Sequence, residues 1–158
     1  MQARLASVLR GALLTGLYFA GAVMVGFFIT LGITAFAYGI QLPVPVQRVD
    51  PNTVATPGMS PFGEPGLREL APGKYEAYIL AQDWSFSPKE IRVPAGATVT
   101  FYFTSKDVQH GVKITNTNIN MMVLPGQVSR LTHTFTTTGE HIIICHEYCG
   151  AGHHTMFA

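Results

Sequence analysis

Between Arg10 and Arg48 the chain carries no charge, and Gly11 to Ile40 is almost wholly apolar. As a helix, thirty such residues extend about 45 Å, against about 30 Å of bilayer hydrocarbon. The segment therefore spans a membrane with tilt, or its last turns project beyond the lipid. A cleaved signal peptide is the competing reading, and Ala35-Phe36-Ala37 has the small-x-small form of a cleavage site. The apolar run before it is about twice a normal signal core, which favours a retained anchor. Arg4 and Arg10 precede the segment with no acidic residue among the first ten. Basic flanks stay inside, so a cytoplasmic N-terminus and a periplasmic or equivalent outer location for the rest are expected, in a single-pass plasma-membrane protein. Ala12, Gly16 and Ala20, and again Ala22 and Gly26, recur every fourth residue, a spacing that permits close packing against another membrane helix.

Residues 41–73 hold seven prolines in 33 positions. That composition predicts an extended, polyproline-like linker lying on a surface, with neither helix nor central strand. Residues 74–158 read as a β domain. Tyr75–Gln82 alternates at its start and then turns apolar, and Ala97–Thr104 places Val99, Phe101 and Phe103 on one face. His110–Ile114, Val128–Thr137 and His141–Cys145 are further strand-like runs. Turn signals separate them at Pro94-Ala95-Gly96, Pro125-Gly126 and Thr138-Gly139. Short strands at such spacing predict an all-β antiparallel sandwich or barrel. A net charge of +1 gives no reason to expect nucleic-acid binding. About 85 residues make a thin core, to which a bound metal would add stability.

Both cysteines of the protein lie in the last fourteen residues, in Cys145-His146-Glu147-Tyr148-Cys149-Gly150-Ala151-Gly152-His153-His154-Thr155-Met156-Phe157-Ala158. Two thiols, an imidazole and a thioether on one loop form a soft donor set, which selects copper over harder metals. A disulfide between Cys145 and Cys149 is the bland alternative in an oxidising compartment. It would close only a small loop, stabilise little, and leave His153 and Met156 without a purpose. Spacing from Cys149 favours His153 as the ligand, with His154 turned to solvent. Met156 suits a weak axial position. The Glu147 carboxylate is a hard ligand unsuited to copper, so its backbone carbonyl is the expected donor. The set lacks one imidazole, and His110, in Asp107-Val108-Gln109-His110-Gly111 at a strand start, is the best candidate. His133, His141 and His146 have no such spacing argument and are read as surface residues. Nothing resembles a catalytic base, a nucleophile or a substrate pocket, so this chain is read as passing electrons.

The pattern Cys-x-Glu-x-Cys-Gly-x-x-His-x-x-Met resembles the binuclear CuA centre of cytochrome c oxidase subunit II. The single N-terminal membrane helix, the run around His110 and Asn118-Ile119-Asn120-Met121-Met122-Val123-Leu124-Pro125-Gly126 resemble the B-type branch of haem–copper oxidases. The resemblance implies a cupredoxin-like Greek-key β-sandwich. It implies that Cys145 and Cys149 bridge two coppers, completed by His110, His153, Met156 and the Glu147 carbonyl, with low reorganisation on electron transfer. It also implies a magnesium ion held by Glu147 at the boundary with subunit I. Electrons would come from cytochrome c or a small copper protein, through Trp84 with Phe86 beside it, and leave for haem in subunit I. There dioxygen is reduced to water and protons are pumped. Related subunits usually continue past Met156 into one more strand, so an open sheet edge is expected here. A CuA subunit of a nitric oxide reductase, a membrane-tethered cupredoxin carrier, and a metal-free disulfide-bonded sandwich are the competing readings.

Overall fold

A computed structural model describes residues 1–39 and 44–158. Two compact units divide the chain at residue 40. The first is α1 (Gln2–Ala37), whose 36 residues bury no side chain. It is long and apolar enough to cross a membrane.

The second unit is a sandwich of two sheets. Its strands are β1 (Val44–Arg48), β2 (Gly66–Ala71), β3 (Lys74–Gln82), β4 (Ser85–Ser87), β5 (Thr98–Ser105), β6 (His110–Ile114), β7 (Asn120–Val123), β8 (Gln127–Thr134) and β9 (Ile143–Ile144). The larger sheet runs β1-β8-β5-β3-β2, with β4 pairing the far end of β3; the smaller runs β7-β6-β9. Period-two alternation builds the interface between them. Val99, Phe101 and Phe103 of β5 and Ile79 of β3 meet Val112, Met121 and Val123 of the smaller sheet in one core. The sheet is not wholly antiparallel, because β3 and β5 pair in parallel from Lys74↔Thr98 to Ala81↔Ser105. A parallel pair needs a long crossover, and β4 with residues 88–97 supplies it.

The expected linker over 41–73 takes a different form in the structure. Residues 41–43 lie outside the described residues, but β1 and β2 from this stretch form the two outer positions of the larger sheet. Pro45 is accommodated because an edge strand has one row of unpaired backbone groups. Between these strands the chain crosses the sheet's outer face as a strap. Val54 and Phe62 of the strap bury against Leu80 and Val128 in a second, smaller core. Ser60 fastens it by donating to the Val54 carbonyl at 2.7 Å and accepting from the Phe62 N–H at 3.1 Å. This explains why β3 turns apolar at its end. Ile79 and Ala81 face the main core while Leu80 faces the strap. The edge of β9 expected to lie open is partly taken by the chain's last residues. The N–H groups of Ile143 and Ala158 donate to each other's carbonyls at 2.7 and 2.9 Å.

Candidate metal centre

Three local structures converge at one end of the sandwich. The first inward position of β6 is His110, which is fully buried. The chain leaving β9 turns Cys145 inward by the same alternation, and the return of the loop buries Met156. The Cys145 N–H donates to the Met156 carbonyl at 3.1 Å, so the ends of this twelve-residue loop are fastened together. Inside it, a single 3-10 turn (His153–Thr155) is set by the His153 N–H on Gly150 O at 3.1 Å and the Thr155 N–H on Gly152 O at 3.0 Å.

Both thiols are free. Their sulfurs stand 3.8 Å apart, far beyond the roughly 2.05 Å of a disulfide. The Cys145 sulfur has His110 Nδ1 at 4.0 Å and donates to the Glu147 carbonyl at 3.3 Å. The Cys149 sulfur has His153 Nδ1 at 3.5 Å and Met156 Sδ at 3.7 Å. Donors about 2.0–2.3 Å from one ion at near-tetrahedral angles lie about 3.5–3.8 Å apart, so these separations fit a metal. His110, Cys145 and Cys149 bring their donor atoms within 4.8 Å of one another. Burial first, then the hydrogen bond and charge of Cys145, push the Cys149 thiol up to about 11 without a metal. Two adjacent thiolates here need a cation to hold them.

Asp107 went unassigned at the level of sequence, although it lies three residues before His110. Its Oδ1 lies 2.9 Å from His110 Nε2 and accepts the Val108 N–H at 2.6 Å. Its Oδ2 accepts the Asp83 N–H. Burial alone would raise this carboxyl. The Asp83 N–H, the His110 ring and the Val108 N–H outweigh burial and hold it well below the usual carboxylate range. A carboxylate behind a ligating imidazole fixes the ring's orientation and tautomer.

Trp84, at the two-residue turn between β3 and β4, has φ of 63°, a left-handed conformation unusual for a bulky residue. Its indole lies on the ligand loop, and Nε1 donates to the Cys149 carbonyl at 3.2 Å. The seat exists because two loop residues are glycines. A Cβ on Gly152 would sit 2.4 Å from Trp84 Cδ2, and one on Gly150 3.1 Å from Nε1. Trp84 remains 40% exposed. Phe86, expected beside Trp84 at the point of electron entry, is 1% exposed and part of the main core. Inward alternation along β4 places it there, so it offers no surface to a partner. His154 and His146 are exposed as expected. His133 and His141 are half-buried against Phe135, at 4.8 and 5.1 Å between ring centroids, and so are less exposed than expected. Neither approaches the thiols. Tyr148, also unassigned from sequence, is exposed and meets the His153 ring edge-on at 5.9 Å.

A β-sandwich that gathers a histidine, two free thiols and a thioether at one end is a copper-binding domain of the cupredoxin-like class. Residues 74–158 match the family described as cytochrome c oxidase subunit II, periplasmic domain. The chain belongs to that family. It is similar to cytochrome c oxidase subunit 2 of Thermus thermophilus, with 45% identity over 114 residues, 71% of this chain and 83% of that one. A second cytochrome c oxidase subunit 2 from the same species is also 45% identical over 114 residues, covering 71% of this chain and 67% of that one. Among solved structures, a chain of a heme-copper terminal oxidase dimer superposes with a TM-score of 0.73 at 36% identity, over 90% of this chain and 93% of that one. The chain is thus subunit II of a membrane-bound haem–copper oxidase, with a CuA-like His/Cys/Cys site and subunit I as its partner. Its role is to bring electrons into a terminal oxidase.

Proposed function

We propose that His110, Cys145, the Glu147 carbonyl, Cys149, His153 and Met156 hold two coppers as a binuclear centre. The observation that carries this reading is the division of donors about the two sulfurs. Cys145 keeps His110 and the Glu147 carbonyl, while Cys149 keeps His153 and Met156. His153 stands outside the single-ion group of His110, Cys145 and Cys149, which supports two ions sharing two thiolates over one ion with all six donors. When bound, such a pair supplies a one-electron store whose bonds change little on reduction. The chain's own residues give that store its rigidity. Asp107 fixes His110, the backbone ladder fixes both loop ends, and burial of Met156 excludes water.

Trp84 is the contact through which electrons arrive, because it joins an exposed face to a ligand residue by a hydrogen bond, through the Cys149 carbonyl. The donor is cytochrome c or a small copper protein. The Glu147 carboxylate meets Gln109 Nε2 at 3.5 Å and is left to hold magnesium at the boundary with the haem subunit. α1 crosses the lipid bilayer with its N-terminus in the cytoplasm and the copper domain outside. The test is metal content and an electron paramagnetic resonance spectrum of the full chain loaded with copper in detergent. About two coppers per chain with one unpaired electron shared equally between them is the expected result. A single localised copper, or none with Cys145 and Cys149 joined, would overturn the assignment.

A further inference from the structure

The smaller sheet presents its second face to solvent, and that face carries soft donors the copper centre does not use. Alternation along β6 sends His110 inward and Gly111 outward. Gly111 has no side chain, and the ring of His146 occupies the space above it. A Cβ on Gly111 would lie 2.5 Å from both Cε1 and Nδ1 of that ring. The backbone fixes this placement, since the His146 N–H donates to the Gly111 carbonyl at 3.4 Å. Met122 is the residue directly opposite Gly111 in the β6–β7 register. Opposed residues of an antiparallel pair carry their side chains on the same face, with Cβ positions about 4.5–5.5 Å apart. The Met122 thioether therefore shares the outer face with the His146 imidazole. Both side chains are exposed. Among the described residues neither His146 ring nitrogen has a hydrogen-bond partner. The nearest cation on this face, Lys113, is turned aside to donate to the Thr117 carbonyl at 2.7 Å. Ile144 and Phe157 line the same face and lower its polarity.

We propose that His146 and Met122 form a surface site for Cu(I), outside the buried centre and on the route by which copper reaches it. A thioether paired with an imidazole selects the soft cuprous ion. The location gives the site its purpose. His110, Cys145 and Met156 are buried while Cys149 and His153 are half-buried, so an outer donor pair beside Cys145 gives an arriving ion a first foothold on the buried side of the centre. His146 is the residue next to Cys145 in the chain and lies on the far side of the strand that carries His110. Copper moves inward by ligand exchange. No electron is transferred, and a thiol that takes the ion releases its proton to solvent.

This inference rests on the reading of the buried centre as a copper site, and the experiment separates the two. The full chain, with its centre already filled with copper, is titrated with Ag(I) as a closed-shell stand-in for Cu(I). The Met122 methyl resonance and the silver stoichiometry are followed. One further ion per chain should bind and shift that resonance. Met122→Leu and His146→Gln should each weaken it by about tenfold or more. In a second measurement the metal-free chain is loaded from a Cu(I) donor. Each sample is oxidised by one electron per chain with ferricyanide before its spectrum is read, and the double variant should fill its centre about tenfold more slowly and reach an unchanged final spectrum. Silver binding that survives both substitutions, no additional silver at all, or an unchanged filling rate would overturn the proposal. A centre that never forms in the unsubstituted chain would overturn the copper reading instead.

Discussion

Gly152→Ala isolates the seat of Trp84 from everything else in the loop. Gly152 has φ of −91° and ψ of 9°, a conformation alanine also adopts, so the substitution introduces no backbone strain. It introduces a methyl group 2.4 Å from Cδ2, 2.5 Å from Cγ and 2.7 Å from Cε3 of the indole. Carbon atoms pack at about 3.5–4.0 Å, so either the ring or the loop must move by about 1 Å. The loop is the stiffer of the two. Gly152 O accepts both the Thr155 N–H at 3.0 Å and the Thr155 hydroxyl at 2.8 Å, and the next residue is His153. The ring is partly exposed and holds the loop by a single hydrogen bond to Cys149 O, which contributes about 0.5–1.5 kcal/mol. Overpacking of this kind costs about 1–3 kcal/mol. The ring therefore leaves its seat, and the seated population falls by about 5–150-fold. If the seated ring is the electron contact, kcat/KM for oxidation of the donor should fall by at least about fivefold, with the copper spectrum unchanged. Trp84 is the only tryptophan, so its fluorescence reports the displacement directly, as a red shift towards solvent-exposed indole. Unchanged emission with unchanged kinetics would refute the seating argument. An altered copper spectrum with unchanged emission would show that the loop gives way and not the ring.

Three further outcomes follow from other parts of the molecule. Asp107→Asn removes a negative charge from behind His110, so the reduction potential should rise in voltammetry and copper affinity should fall by about tenfold or more. Phe62→Ala should lower stability by about 3–5 kcal/mol in denaturant titration, as for a core aromatic; a change within about 0.5 kcal/mol would return the strap to the status of a linker. The Tyr78 hydroxyl is pushed up from about 10 to about 12, by burial first and then by its hydrogen bond to Glu76. A pKa raised on folding means stability that is present below about pH 10 and lost as pH climbs towards 12. Tyr78→Phe should flatten that alkaline loss in thermal melts while giving up the hydrogen bond to Glu76 at neutral pH.

The donors of the proposed copper centre were legible because most of that centre is local. Five of its six donors fall within twelve consecutive residues, and their identities alone restrict the metal. His110 came from elsewhere but lay at the start of a recognisable strand. Asp107 was in view in the same run, yet its role depends on where a ring nitrogen points, which spacing does not encode. Trp84 stood out as a single residue, but its seat depends on Gly150 and Gly152, in the loop of Cys149, which lies 65 residues away along the chain. Phe86 shows the converse. An aromatic near an exposed one looks like a pair in sequence, and only strand alternation separates the buried member from the surface one.

Residues 41–73 differ from the expected surface linker for a further physical reason. Proline density disfavours α-helices and central strands; among the described residues of this stretch there is one 3-10 turn (Pro61–Gly63), and β1 and β2 are both outer strands of the sheet. It does not exclude edge strands, nor a strap with apolar residues at intervals. Val54 and Phe62 carry no periodic signal, because the strap is irregular and buries single side chains where they happen to meet the sheet. The clue lay in the partner. The run Ile79-Leu80-Ala81 breaks the alternation of a half-exposed strand, and a strand apolar on both sides requires a cover on both sides. The smaller sheet has no such break. Its outward positions remain Gly111, Lys113, Asn120, Met122 and Ile144, and no segment among the described residues crosses them as the strap crosses the larger sheet. The two outer faces of the sandwich thus follow opposite rules. One is sealed by the chain's own strap, which stiffens the sheet carrying Trp84 at its end. The other stays open beside the buried ligands, which is where a donor pair able to meet an incoming ion has to be.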